Sequence, residues 1–205
     1  MNSKIETVDQ LRELYGKPSD RARLKVLSKI DGHMKSFLSH SPFLILSSFG
    51  SDGSVDASPR GGSPGFVKAL DESTLLIPDW PGNNRLDSIT NIIQSKSVAT
   101  LFLIPGVKES LRFNGTAEVR TDSDLLDHCV EGGKVPKIVI KLTIAEAFLH
   151  CSKAIMRSRL WESESQINRQ QLATMNEMIN DQVPAEHVVS ETDEEMEKRY
   201  RDSLY

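Results

Sequence analysis

The sequence predicts a mainly β domain with peripheral helices, and three observations carry that prediction. Short runs rich in β-branched and aromatic residues recur between residues 43 and 143, separated by Gly, Pro, Asp and Ser turns. Apolar residues at helical spacing lie chiefly outside that region, near both ends of the chain. A 205-residue chain with 38% hydrophobic and 26% charged residues can bury one substantial core. The expected organisation is an N-terminal helical extension over residues 1–36, a central domain over 37–161, and a C-terminal helical extension over 162–205.

Ile5, Val8, Leu11 and Leu14 fall on neighbouring turns of a helix over residues 5–15, closed by Gly16-Lys17-Pro18. Ser19 or Asp20 can cap a second helix that carries Leu24, Leu27, Ile30, Met34, Phe37 and Leu38. Ser41-Pro42 ends it. Residues 43–49 then read as a strand, Gly50-Ser51-Asp52-Gly53 as a hairpin turn, and residues 54–58 as the returning strand, with Arg60 just beyond its end. Residues 66–70 and 73–78 are further strands around a turn at Asp71-Glu72.

Asn83 or Asn84 can cap a helix containing Leu86, Ile89, Ile92 and Ile93. Strands follow over residues 98–104 and 109–120. In the second, Ser110, Arg112 and Asn114 share one face and alternate with Leu111 and Phe113, which enter the core. Residues 122–129 suit a short helix and residues 137–143 a strand. Propensity fits residues 144–150 to either helix or continued β structure; a short break near Thr143 is the favoured reading, with a helix over 154–160. Residues 165–179 and 193–204 complete the chain as helices.

A formal net charge of −4 gives no global attraction to nucleic acid or to an anionic membrane. Arg12, Arg21, Arg23 and Lys25 are balanced by acids and lack an aromatic platform for bases. The opening Met1-Asn2-Ser3-Lys4-Ile5-Glu6 has no apolar signal core, and no segment is long enough for a membrane span, so a cytoplasmic protein is expected. Cys129 and Cys151 cannot form a disulfide framework, and the five histidines have no metal-ligand spacing, so no metal is expected.

The chemistry gathers in Ser58-Pro59-Arg60-Gly61-Gly62-Ser63-Pro64-Gly65-Phe66-Val67-Lys68 and Ile77-Pro78-Asp79-Trp80-Pro81-Gly82-Asn83-Asn84-Arg85-Leu86-Asp87. Two basic groups in glycine- and proline-shaped backbone precede a second glycine-led turn with its own arginine. Gly allows close backbone approach to a ligand, and Arg offers a planar fork to a phosphate. An anion at the following helix start would also receive backbone N–H groups. Arginines in irregular backbone equally serve as carbonyl caps or surface ion pairs.

These segments, with Leu111-Arg112-Phe113-Asn114-Gly115, form an ordered set over residues 37–161. The set resembles the pyridoxamine 5'-phosphate oxidase-like FMN-binding split-barrel superfamily, closest to its class of probable FMN-dependent proteins of unknown substrate. The resemblance implies a six-stranded antiparallel split β-barrel, a homodimer, and FMN near the subunit interface. It marks Arg60 and Lys68 as phosphate- or ribityl-side groups and Asn83, Asn84 and Arg85 as a second phosphate-binding turn. In that turn Asn84 departs from a common basic residue. Ser110, Arg112 and Asn114, with Lys153, Arg157 and Trp161 of a more variable region, are implied flavin or partner contacts.

The implied function is an FMN-dependent oxidoreductase acting on a small substrate or a reduced nicotinamide, with no catalytic side chain assigned. The alternatives are a non-catalytic flavin carrier and a deazaflavin- or haem-binding protein. Pyridoxamine phosphate oxidation itself is not expected, because Glu194-Glu195-Met196-Glu197-Lys198-Arg199-Tyr200-Arg201 lacks the Arg and His pattern that serves the phosphorylated vitamin in those enzymes.

Overall fold

The computed structural model describes residues 4–204; residues 1–3 and 205, the outermost parts of the two expected extensions, lie outside the described residues. In chain order, α1 (Val8–Tyr15), α2 (Asp20–Leu24) and α3 (Gly32–His40) precede the hairpin β1 (Phe43–Phe49) and β2 (Val55–Gly61). A two-residue strand β3 (Lys68–Ala69) and β4 (Thr74–Asp79) lead to α4 (Asp87–Ser95), β5 (Ser97–Leu103) and β6 (Ser110–Arg120). After these come α5 (Ser123–Asp127), the long strand β7 (Ile138–His150), α6 (Lys153–Ser158), α7 (Met175–Asn180) and α8 (Asp193–Ser203).

The strands form one antiparallel sheet in the order β2-β1-β5-β6-β7-β4-β3. Alternation along each strand decides which side chains enter the core. Leu44 and Leu46 of β1, Val98 and Phe102 of β5, and Leu111, Phe113 and Ala117 of β6 are buried in one cluster. Phe102 and Phe113 meet edge to face with centroids 5.7 Å apart, the arrangement that ring quadrupoles favour. Ile89 and Ile92 of α4 join the same core.

The sheet curls until β2, at one end, faces β4, next to the other end. Arg60 on β2 and Asp79 on β4 form an ion pair at 3.3 Å although four strands stand between their own in the sheet order. Side chains therefore span a seam where no backbone ladder joins the two strands, and the fold is a mainly β split barrel with helices around it. The expected six strands are present at full length; the seventh, β3, is the two-residue remnant of the strand expected over residues 66–70.

Several elements differ from the sequence reading. The helix expected to run on from Ser19 to Leu38 is broken. Leu27 instead exchanges backbone hydrogen bonds with Ala147 (3.0 and 2.7 Å), and Ile30 N–H donates to Glu72 O, filling the edge of the sheet beside the start of β4. Asp31 then caps α3 by accepting from Met34 N–H at 2.8 Å. Strand β2 continues through Pro59 to Gly61, so Arg60 lies within it; an edge strand tolerates Pro.

Strand β7 runs through Thr143 without a break. The expected interruption is a bulge: Gly115 faces Ile144 while Asn114 faces Glu146, leaving Ala145 as the extra residue. Of residues 165–179, only the last turns become a helix, where Thr174 and Glu177 form a capping box; short 3-10 turns at Ser163–Ser165 and Arg169–Gln171 precede it. The helices over residues 5–15 and 193–204, and the strands over 43–49, 73–78, 98–104 and 109–120, match their expected places to within a few residues.

Candidate functional site

Strand β2 turns Asp56, Ser58 and Arg60 inward while Val55, Ala57, Pro59 and Gly61 stay exposed, the strict alternation of an edge strand. Ser58 and Arg60 of this row, with the intervening Pro59 and Gly61, form one wall of a cleft of about 520 Å³. The opposite wall is the segment from Pro78 through the turn at Gly82, Asn83 and Asn84 to Ile89. Ser58 and Ser88 both donate their hydroxyls to Asp56 Oδ2. This part-buried polar cluster ties the first turn of α4 to β2 and fixes the spacing between the walls.

At the centre, Arg60 Nε lies 3.3 Å from Asp79 Oδ1, with side chains 22% and 16% exposed. The pair is electrostatic but poorly aligned, and Arg60 Nε is buried with no hydrogen-bond partner among the described residues. One terminal nitrogen donates to Pro59 O at 3.0 Å. Burial pushes the Asp79 carboxyl above the usual carboxylate range, and the neighbouring Arg60 pulls it back only in part.

The second wall is shaped by backbone. Asn84 (φ 60) and Leu86 (φ 59) are both left-handed, and Asn83 Oδ1 accepts from Arg85 N–H at 3.1 Å. Neither asparagine caps α4; the cap position is Leu86, which makes no side-chain cap bond. Leu86 takes that place because the left-handed turn spends Asn83 on Arg85. Arg85 reaches into solvent, 73% exposed, and pairs with Asp87 at 2.9 Å.

Arg60, Asn83, Asn84 and Arg85 are thus brought together, and the remaining expected residues stand elsewhere. Lys68 donates to Gly65 O at 2.7 Å beside a separate hollow shared with Lys35 and His128. Ser110 is buried at the start of β6. Arg112 Nε donates to Asn114 Oδ1 (2.8 Å) and Asn114 donates to Glu146 (2.8 Å) on the face opposite the core. There Arg112 and Lys25 both lie over the Phe148 ring, at 5.6 and 5.5 Å. Burial, then the Arg112 and Lys25 charges, push the nearby His150 imidazole below its ordinary value. Lys153 and Arg157 are exposed on α6, and Trp161 donates its indole N–H to Val107 O at 2.8 Å.

The cleft also uses residues that the sequence reading left without a role. Asp79 was visible only as part of Ile77-Pro78-Asp79, and Asp56 and Ser88 carried no signal. The inward alternation Asp56, Ser58, Arg60 would have pointed to Asp56 had the strand been extended past Pro59. Among the described residues, no cluster of His, Cys, Asp and Glu is placed to hold a metal ion, and no helix is long and apolar enough to cross a membrane.

Comparison with known proteins places the chain. No curated protein sequence matches it. Among solved structures it is similar to HupZ of Group A Streptococcus (19% identity, TM-score 0.48, covering 58% of this chain and 93% of that one). It is also similar to an FMN-binding protein of Syntrophomonas wolfei subsp. wolfei (9%, TM-score 0.44, 70% and 97%) and to HutZ, the haem storage protein of Vibrio cholerae (13%, TM-score 0.43, 60% and 94%). A sequence model of the family described as pyridoxamine 5'-phosphate oxidase matches residues 30–151, from the strand-like segment before α3 to the end of β7. That match takes in both cleft walls and more than half of the chain, and the chain therefore belongs to the pyridoxamine 5'-phosphate oxidase family.

Proposed function

We propose that the cleft binds FMN through its phosphate and that the protein is an FMN-dependent oxidoreductase for a small organic substrate or a reduced nicotinamide. The observation that carries this reading is the half-buried guanidinium of Arg60, whose Nε has no hydrogen-bond partner among the described residues, facing a turn that carries Asn83, Asn84 and Arg85. The residues fit the group. Its phosphate suits a guanidinium fork and amide donors, and about 520 Å³ is within the ordinary range for small-molecule sites.

Bound FMN would supply the redox chemistry; the protein supplies binding, orientation and electrostatics. Arg60 is the anchor, because the β2–β1 ladder holds its backbone and the cleft partly covers its side chain. Arg85, exposed and held only by Asp87, is a mobile second cation that can swing onto the phosphate. The Asp56–Ser58–Ser88 cluster keeps the walls apart at a set distance. No side chain is assigned a proton-transfer role. Arg112, Asn114, Lys153, Arg157 and Trp161 do not line this cleft, and in a homodimer they are contacts to the partner copy.

The test is an absorption spectrum of the purified protein, followed by release and mass identification of the cofactor. Oxidised-flavin bands with the mass of FMN, reducible anaerobically by a nicotinamide or organic donor, are the expected result. A deazaflavin mass, a haem spectrum, or a colourless protein that fails to take up added FMN would overturn the proposal. Flavin that binds but resists every donor would leave a carrier in place of an oxidoreductase.

A further inference from the structure

The cleft proposed to receive a phosphate already contains an anion. Asp79 sits 3.3 Å from the group best placed to bind that phosphate, and both side chains are largely withdrawn from water. A carboxylate there does not serve as a simple structural lock: the contact lacks hydrogen-bond alignment, and Arg60 Nε has no hydrogen-bond partner among the described residues. Two anions cannot both be neutralised by one guanidinium at full strength in such a site. One must give way.

Resting on the phosphate-binding reading of the cleft, we propose that Asp79 is a displaceable counter-anion. It holds Arg60 across the seam between β2 and β4 until a ligand phosphate takes its place. The exchange moves no covalent bond. Arg60 turns its donors from the carboxylate to the phosphate, and the Asp79 carboxyl, left beside a new anion, takes up a proton from solvent.

The sign follows from the groups around Asp79. Burial already raises its carboxyl above the ordinary value, and Arg60, facing it from β2, is the restraint. Arg85, in the turn leading into α4, pairs with Asp87, the first residue of that helix, at 2.9 Å. Asp56, farther along β2, is held by Ser58 and Ser88. On β7 the residue opposite Asp79 is Ile138, which adds no charge. Moving Arg60 onto a phosphate removes the restraint and adds repulsion, so the carboxyl rises further and phosphate binding tightens as pH falls. The Asp79 carboxylate also biases the cleft against weak anions, since only one that outcompetes it gains Arg60.

The experiment compares FMN affinity of the wild-type protein and Asp79→Asn from pH 5 to pH 8, with riboflavin as the ligand lacking phosphate. Titration of the phosphate itself is common to both proteins and cancels in the ratio of their dissociation constants. The Asn variant is expected to bind FMN tighter at pH 8 by about tenfold for each pKa unit the carboxyl moves on binding, with the ratio closing toward pH 5. Riboflavin should show no such ratio. Stabilisation of the wild-type protein by inorganic sulfate, which does not titrate here, should grow as pH falls, and this readout requires no variant. A ratio near one at every pH, a ratio that ignores pH, or weaker FMN binding by Asp79→Asn overturns the inference alone. If neither protein binds FMN at any pH, the phosphate-site reading fails and the inference falls with it.

Discussion

Gly115 on β6 lies so close to the backbone of Thr143 on β7 that a β-carbon at position 115 would overlap the Thr143 carbonyl oxygen and stand 3.2 Å from Ala145 N. The approach comes from the bulge at Ala145, which bends β7 toward its neighbour. Neither atom can move without disturbing the longest ladder in the sheet. Gly115→Ala is expected to destabilise the protein by about 3 kcal/mol, lowering Tm by roughly 6–12 °C for a chain of this size. Gly82→Ala, where a β-carbon meets nothing within 4 Å, should leave thermal stability within about 0.5 kcal/mol of wild type. Thermal melts of both variants check the contrast.

Arg60 and Arg85 differ in burial, and that difference orders their effects on ligand binding. Removing the half-buried guanidinium takes away charge-assisted hydrogen bonds worth about 1.5–3 kcal/mol, so Arg60→Ala should weaken FMN binding roughly 10- to 100-fold. Arg60→Lys keeps the charge but loses the fork, and should recover only part of that loss. Arg85→Ala, removing a side chain 73% exposed, should cost less than about tenfold. Flavin-fluorescence titrations of the three variants give the order directly.

The two cysteines sit in opposite environments. Cys129 is 2% exposed, in a small cluster with Leu76, Leu125 and Val139, whereas Cys151 is exposed after β7. A thiol-reactive chromophore should therefore titrate one thiol in the native protein and the second only after denaturation. Burial pushes the Cys129 thiol up to about 11 from an ordinary 9.0. The folded state thus holds this proton more tightly than the unfolded state, so the associated stability is fully present below pH 9 and is lost as pH rises toward 11. Over that window the wild type should lose up to about 2–3 kcal/mol that Cys129→Ala does not, measured by denaturant melts at pH 8 and pH 11.

The legible parts of the fold were those whose local pattern agreed with their tertiary place. Leu44 and Leu46 alternate with half-buried neighbours, and β1 was readable to the residue. Leu24, Leu27, Ile30 and Met34 keep helical spacing too, yet the Leu27 backbone is taken by Ala147; periodicity is blind to such a long-range bridge. Residues 144–150 read ambiguously because the bulge at Ala145 depends on a glycine on another strand. In the cleft, Arg60, Asn83, Asn84 and Arg85 were legible as glycine- and proline-framed donors. The opposition of Arg60 and Asp79 was not, because only the curl of the sheet brings β2 against β4.

The seam between β2 and β4 has a dynamic consequence. Among the described residues, strand β2 is laddered to β1 alone, while β6 and β7 each have strand neighbours on both sides over much of their length. Peeling β2 and its Gly50–Ser54 turn from the barrel breaks one ladder and the side-chain bridges, whereas freeing β6 requires two ladders to part. Amide hydrogen exchange should therefore release β2 through a sub-global opening well below the global unfolding free energy, with β6 and β7 exchanging last. Occupancy of the cleft by a phosphate ligand should slow β2 selectively, which makes the wall that carries Arg60 the part of the barrel whose breathing sets how fast a ligand can enter and leave.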